Sequence, residues 1–164
     1  MNKEEEFTQI YNQNKDKIYR LCLGFMGNKA DADDLVQEIL IKIWDNLSSF
    51  KGNSAIATWI YRIATNTAIL YAKRKGRINK RHTSLKPEKE SIAPIEINAT
   101  IPEQQINELY IAISSLKEID RIVIGLLLEE NSYNEIANIT GLRVSNVGVR
   151  INRIKKALNK KLKK

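Results

Sequence analysis

The side chains best suited to contact a nucleic acid lie in residues 131–158, which carry the spacing of a helix-turn-helix. Ala137 is small enough for a second helix to approach the first closely, and Gly141, four residues later, can take the positive φ of a tight interhelical turn. Val147, six residues further on, is expected to pack inward from the second helix. Amide and guanidinium groups on the opposite face of that helix would then reach base edges in the major groove.

The predicted reading face of the second helix consists of residues spaced at i, i+3, i+4 and i+7. They are Asn146, Val149, Arg150 and Arg153. Arg150 and Asn146 are the candidates for base contacts, because arginine pairs bidentately with guanine and asparagine with adenine. Arg143 and Ser145, at the start of the helix, are expected near the DNA backbone. The alternative interpretation is an ordinary helical hairpin within an all-α domain.

The end of the chain is strongly basic. From Arg150 onward there are eight basic residues and no acidic one. Such a tail neutralises phosphates without reading the base sequence. Taken alone, it is equally compatible with a solvated helix face. Its position beside the helix-turn-helix favours a role in DNA binding.

Most catalytic and metal chemistries lack the residues they need. Cys22 is the single cysteine and His82 the single histidine, which excludes a disulfide framework and a thiolate metal cluster. Cys22 falls in an apolar helical pattern, so we interpret it as a buried thiol. We find no nucleophile–base set and no phosphate-binding loop. The sequence therefore predicts a binding protein, with no catalytic residue, metal or cofactor.

An apolar period of 3.6 residues runs along most of the chain and predicts an all-α fold. Helices are expected at about 4–25, 31–47, 55–75, 104–116, 118–129, 133–139 and 144–162. Asn28 can cap the second helix, and Ser132 with Glu135 forms a capping box before the sixth. The apolar side chains expected to be buried on the third helix are Ile56, Trp59, Ile60, Ile63 and Leu70.

Residues 79–103 are expected to be a flexible linker between two small helical domains. All three prolines lie there, and the segment has no sustained apolar period. Its net charge is zero, whereas residues 1–78 carry a net charge of +3 and residues 104–164 a net charge of +5. We therefore expect the two domains, 1–78 and 104–164, to move independently, and both to favour a polyanionic partner.

Two blocks of the first domain closely resemble adjoining conserved regions of bacterial sigma factors. The blocks are DADDLVQEILIKIW and ATWIYRIATNTAILYAKRKGR, and SYNEIANITGL and RINRIKKAL in the second domain are similar to the same family. The minimal, two-domain extracytoplasmic-function group is the best match. The resemblance implies a transcription initiation factor that brings core RNA polymerase to promoter DNA. Its first domain would bind the polymerase and melt and read the minus-ten element, and its helix-turn-helix would read the minus-thirty-five element.

The sequence departs from the family pattern at three positions. Leu70 stands where the family often has aspartate, Lys117 where proline is common, and Gly148 where a basic residue is frequent. A glycine inside a helix costs about 1 kcal/mol relative to alanine. These departures affect which promoter is read and leave the assignment to the family intact.

The resemblance gives roles to two exposed faces of the first domain. On the 31–47 helix, the residues opposite the core are expected to contact the polymerase: Asp34, Gln37, Glu38, Ile41 and Asp45. Ile41 would be the apolar anchor among carboxylates, although a singly exposed apolar residue is also ordinary on a protein surface. The expected contacts to the downstream promoter element are Asn53, Arg62, Asn66, Ile69, Lys73 and Arg74. The loop from Phe50 to Ser54 lies where the family places a pocket for a flipped base.

The alternative function is a stand-alone helix-turn-helix regulator whose first domain senses a ligand or dimerises. A regulator shifts free duplex by itself, whereas a sigma factor does so weakly until it joins core polymerase. The acidic, polar start of the chain is unlike a signal peptide, and no apolar run approaches the ~20 residues that span a bilayer. We therefore expect a cytoplasmic protein with no membrane insertion, whose partners could include an anti-sigma factor.

Overall fold

Seven α-helices make up the part of the chain that this computed structural model describes, residues 1–81 and 103–163. One 3₁₀ turn, Leu47–Ser49, lies between the second and third helices, and the described residues contain no β-strand. The helices are α1 (Lys3–Met26), α2 (Lys29–Asn46), α3 (Ile56–Arg81), α4 (Glu103–Ser114), α5 (Glu118–Leu128), α6 (Tyr133–Thr140) and α7 (Val144–Leu162). The predicted all-α fold is confirmed. Most of the predicted linker, residues 82–102, and His82 with it lie outside the described residues.

The helix ends follow from short polar signals in the sequence. The Asn28 side chain accepts a hydrogen bond from the Asp31 backbone N–H at 2.9 Å and so caps α2. The Ser132 hydroxyl accepts from the Glu135 N–H at 3.1 Å, which is the first half of the predicted capping box. Gly141 ends α6 in the left-handed conformation, with φ of 79°. The predicted positive φ between the two helices of the motif is therefore present.

The helices α1, α2 and α3 form a first helical unit around an apolar core. Leu35, Ile39 and Ile43 of α2 are fully buried in it, and Cys22 of α1 is buried as expected. Burial raises the pKa of the Cys22 thiol, which keeps it protonated and unreactive. No described helix combines the length and apolar character that a bilayer span requires.

The helix α3 is longer than predicted and faces its neighbours differently. It continues to Arg81 instead of ending near Lys75. Leu70, predicted to be buried, is 51% exposed, whereas Ile69, predicted to face outward, packs against the core. The reason is that Ile60, Ala64 and Ala68 are the residues that line the core, at i, i+4 and i+8. Following only the large apolar side chains rotates the expected face of this helix away from its alanines.

The helices α4 to α7 form a second helical unit that contains the helix-turn-helix, α6 and α7. Val147, Ile151 and Ile154 of α7 are buried, as the apolar spacing of the motif predicts. Ala137 of α6 is also buried, and its carbonyl accepts the backbone N–H of Gly141 at 2.9 Å. The turn therefore holds α7 against α6 with its polar face turned outward.

The two helical units pack directly against each other. The helix α1 contacts α4 and α5, and α3 contacts α6. Arg20 donates two hydrogen bonds to the carboxylate of Glu129, at 2.7 and 2.8 Å, and these raise the pKa of Arg20. Arg121 donates to the backbone carbonyl of Phe25 at 2.6 Å. The two predicted domains are therefore in contact in this structure, and their independent movement stays a prediction.

A glycine makes the close contact between α1 and α5 possible. A Cβ atom at Gly125 would lie 2.7 Å from the Cδ1 atom of Leu21. Leu21 is buried, so its side chain occupies the space that a larger residue at position 125 would need. Gly125 therefore lets α5 approach α1 at this point more closely than a residue with a Cβ atom would.

Candidate nucleic-acid and protein interfaces

The outward face of α7 carries the residues predicted to read DNA, but their side chains differ in solvent exposure. Asn146 is exposed, and Val149 is 66% exposed. The Arg153 side chain is 59% exposed, whereas only 24% of the Arg150 side chain is accessible. Arg143, the N-cap residue, and Ser145 in the first turn are exposed at the end of α7 that a groove-binding helix directs toward the DNA.

Arg150 and Arg153 are held by a buried carboxylate on α5. Arg150 Nη1 donates to Asp120 Oδ1 at 2.9 Å, and Arg153 Nη2 lies 3.2 Å from each Asp120 oxygen. Arg150 Nε also donates to Asn146 Oδ1 at 3.0 Å. We did not identify Asp120 from the sequence. Its signal is an acid on the face of α5 that buries Val123 and Ile124, where a charge needs a partner.

The C-terminal half of α7 carries exposed lysines. Lys155, Lys156 and Lys160 are exposed, and Lys161 contacts the hydroxyl of Ser115, just after α4. These side chains follow the reading face along the same helix. They extend the positive surface of the second helical unit beyond the helix-turn-helix.

The predicted downstream contacts lie along α3 and in the loop before it. Asn53 in the loop, and Arg62, Asn66 and Lys73 on the helix, are exposed. Ile69 is partly buried in the core, so only part of it is accessible. In this arrangement α6 covers part of the face, because Arg62 Nε donates to the backbone carbonyl of Asn138 at 3.0 Å.

The loop before α3 is held by an aromatic pair. The rings of Phe50 and Trp59 lie with their centroids 5.0 Å apart, tilted by 45°. Gly52 has a φ of 74°, and no atom lies within 4 Å of the position its Cβ would take. The loop is therefore a turned, open segment beside two aromatic side chains, a combination suited to stacking a base.

The exposed face of α2 is acidic with one apolar side chain. Asp34, Gln37 and Asp45 are exposed, and Ile41 is 59% exposed among them. Glu38 is partly buried and accepts a hydrogen bond from Arg74 of α3 at 2.5 Å. Arg74 lies on the basic face of α3 and pairs with a residue of the acidic face of α2. It therefore connects the two faces.

The described residues contain no cluster of three or more histidine, cysteine, aspartate or glutamate side chains that could hold a metal ion. They present three surfaces: the basic face of α7, the basic and polar face of α3 with the aromatic loop before it, and the acidic face of α2 with its apolar centre. Each of these surfaces is suited to binding a macromolecule.

Comparison with known proteins finds relatives over nearly the whole chain. The family described as Sigma-70 region 2 matches residues 10–78. The ECF RNA polymerase sigma factor SigW of Bacillus subtilis is 33% identical over 98% of this chain and 90% of its own length. The ECF RNA polymerase sigma-E factor of Escherichia coli is 34% identical over 81% of this chain and 74% of its own length.

Two solved structures share the fold. The sigma factor RpoE of Bartonella quintana, crystallised with the anti-sigma factor NepR, superposes with a TM-score of 0.82, at 22% identity, over 97% of this chain and 98% of that one. CnrH, in complex with the cytosolic domain of CnrY, superposes with a TM-score of 0.68, also at 22% identity, over 98% of this chain and 89% of that one.

Proposed function

This chain belongs to the extracytoplasmic-function group of bacterial sigma factors, and from that premise we propose how its surfaces divide the work of promoter recognition. It is a transcription initiation factor that binds core RNA polymerase and directs the enzyme to specific promoters. The observation that carries this conclusion is 33% identity to a sigma factor over 98% of the chain. Sigma factors act by binding polymerase and DNA, and the surfaces described above are suited to binding macromolecules.

The first helical unit, within residues 1–78, is proposed to bind the polymerase through α2. Ile41 is the apolar anchor, and Asp34, Gln37, Glu38 and Asp45 surround it with groups that attract basic side chains. An apolar centre with a polar rim is the usual make-up of a protein interface. Glu38 takes part through its ion pair with Arg74, which also fixes α3 beside this face.

The same unit is proposed to melt and read the minus-ten element through α3 and the loop before it. Arg62, Asn66, Lys73 and Arg74 present donors and positive charge along one helix, and Asn53 stands in the loop. Phosphate attraction and base stacking together favour a single strand. Ile69 is proposed only as a partial contact, because it packs mostly inward.

The second helical unit, within residues 104–164, is proposed to read the minus-thirty-five element through α7. Asn146, Val149, Arg150 and Arg153 face the groove, and Arg143 with Ser145 approach the backbone. The lysines that follow add affinity for any sequence. The chain between the units, residues 79–103, is proposed to connect the two readers.

Two proteins that share the fold were solved in complex with partners, RpoE with the anti-sigma factor NepR and CnrH with the cytosolic domain of CnrY. We propose that an anti-sigma factor also binds this chain. Because core RNA polymerase is a cytoplasmic enzyme, the proposed place of action is the cytoplasm.

Run-off transcription with purified core polymerase tests the proposed function. We expect the chain to direct core enzyme to discrete start sites, each preceded by two shared elements, and to bind free promoter duplex only weakly by itself. Tight binding to duplex without core enzyme, together with no new start site, would instead identify a stand-alone regulator.

A further inference from the structure

The carboxylate of Asp120 is buried at the start of α5, directly behind the reading face of α7. Its side chain is 8% exposed and receives hydrogen bonds from Arg150 and Arg153. Both arginines belong to the face proposed to contact the upstream element. The acid therefore bonds to the reading helix from within the second helical unit.

The pairing is expected to survive DNA binding. An isolated carboxylate buried away from water is strongly unfavourable, and breaking a buried pair by removing one partner is destabilising. If Arg150 swung fully into the groove, only Arg153 would remain to compensate Asp120. Arg150 therefore contacts DNA while its Nη1 atom stays bonded to Asp120.

The hydrogen bonds of Arg150 determine which groups the helix presents. Nη1 donates one N–H to Asp120 and Nε donates its single N–H to Asn146, so the two N–H groups of Nη2 and the second N–H of Nη1 remain for a base. An arginine N–H can only donate, which fixes the Asn146 amide with its oxygen toward Arg150 and its NH₂ group turned away. Arg150 and Asn146 thus both offer donors at the surface.

From this geometry we propose that Asp120 is a positioning residue for promoter reading: it fixes Arg150 and, through it, Asn146, so that α7 presents donors and selects a base with acceptors. Guanine offers two acceptors in the major groove, N7 and O6, and is the preferred base. The oxygen of Asn146 already accepts from Arg150, so the bidentate pairing with adenine expected from the sequence would have to use its second lone pair, and the proposal favours guanine. This inference rests on the proposed reading of the upstream element by α7.

The test uses the full chain assembled with core polymerase. Transcription is measured on a set of templates in which each upstream base pair is changed in turn to the other three. We expect the native chain to prefer guanine at one position by about tenfold or more, the discrimination of a good direct contact. Asp120→Asn keeps the size of the side chain and removes its charge, and should reduce that preference to about threefold or less.

The matched control is Glu118→Gln, which removes the same charge from the same first turn of α5. It should leave the preference profile unchanged. Asp120→Glu keeps the charge but displaces the carboxylate by one methylene, so it should retain the thermal stability while weakening the guanine preference. If Asp120→Asn does not fold, the preference profile of Asp120→Glu tests the proposal.

Three results would overturn the inference: an unaltered profile in both Asp120 variants, an equal loss on all templates, or a native preference for another base or for none. An equal loss would mean that Asp120 only supports the fold. Failure of the proposed function is a different result, because the native chain would then give no specific transcription on any template.

Discussion

Ile41 is an apolar side chain that α2 holds 59% exposed among carboxylates. Replacing it with aspartate adds a charge at the centre of the proposed contact and removes its apolar area. Because the side chain already lies in solvent, we expect Ile41→Asp to fold normally and to lower the affinity for core polymerase at least about tenfold, the effect of a central interface residue. A pull-down with core enzyme, in the absence of DNA, measures this.

Leu70→Asp is the matched control, because Leu70 is 51% exposed on α3 and the substitution adds the same charge. Glu38 is left unchanged, since its ion pair with Arg74 would be lost as well. Core binding that is native in Ile41→Asp, or equally weak in both variants, would show that α2 does not dock on the polymerase through Ile41.

Tyr61 carries a pH-dependent contribution to stability. It is 4% exposed on α3, and burial raises the pKa of its hydroxyl from 10.0 to about 12. The folded state therefore favours the protonated form, so the contribution is complete below pH 10 and is lost as the pH rises toward 12. Tyr61→Phe removes this loss. Between pH 9 and pH 11, the free energy of unfolding measured with denaturant should fall by about 1 kcal/mol more in the native chain than in the variant. Parallel curves for the two proteins would contradict this.

Single residues also show where the sequence was informative. The inward position of Val147 and the exposure of Ile41 follow from helical spacing alone. Asp120 could not be found in this way, because its partners, Arg150 and Arg153, are 30 and 33 positions away and come together only when α5 packs against α7.

At the scale of helices, two glycines allow opposite predictions. Gly76 lies inside α3, and a Cβ there would meet no atom within 4 Å, so Gly76→Ala should stabilise the protein by about 0.5–1 kcal/mol. Gly141 also has open space but a φ of 79°, so Gly141→Ala should destabilise by about 1 kcal/mol or more. Thermal unfolding of both variants, beside the native chain, checks the pair. A shift of the same sign in both would contradict the assigned backbone conformations.

The lysines of α7 are expected to act on every DNA sequence alike. Lys156→Gln with Lys160→Gln should weaken holoenzyme binding to specific and random duplex by the same factor. Each phosphate contact that is lost should reduce the slope of log affinity against log salt by about 0.9. The control is Lys15→Gln with Lys17→Gln, two exposed lysines on α1. A selective loss on promoter DNA would mean that these lysines read sequence.

Helix positions were largely predictable, because caps such as Asn28 and Ser132 and the turn at Gly141 are local signals. The end of α3 was not predictable from the sequence. Nothing between Lys75 and Arg81 breaks a helix strongly, since Gly76 is tolerated there, so the true end depends on contacts that the local sequence does not record.

At the scale of the whole molecule, the two units are closed on each other with opposite charges paired between them. The Glu129 side chain is 7% exposed and binds Arg20 through two hydrogen bonds. Glu129→Arg would place two arginines together, and we expect it to separate the units and increase the radius of gyration measured by small-angle X-ray scattering. Arg20→Glu combined with Glu129→Arg should restore the compact value. An unchanged radius in the single variant would show that this ion pair does not hold the units closed.

This closure could not be predicted from the sequence. Arg20 and Glu129 are 109 positions apart, and Gly125 looks like an ordinary small residue until Leu21 is seen against it. Prolines and neutral charge in residues 79–103 predict a connection between two domains. They contain no information about whether the domains then attract each other.

In the closed arrangement α6 covers the part of α3 where Arg62 bonds to the Asn138 carbonyl, so we expect that part of the face to reach promoter DNA only after the units separate. Both halves of the contact belong to one polypeptide, so closure is a unimolecular equilibrium. Its open fraction does not change with the amount of protein in the cell. A tenfold increase in copies gives about ten times as many open chains and no steeper response. A sharp threshold in gene expression is therefore not expected from closure alone.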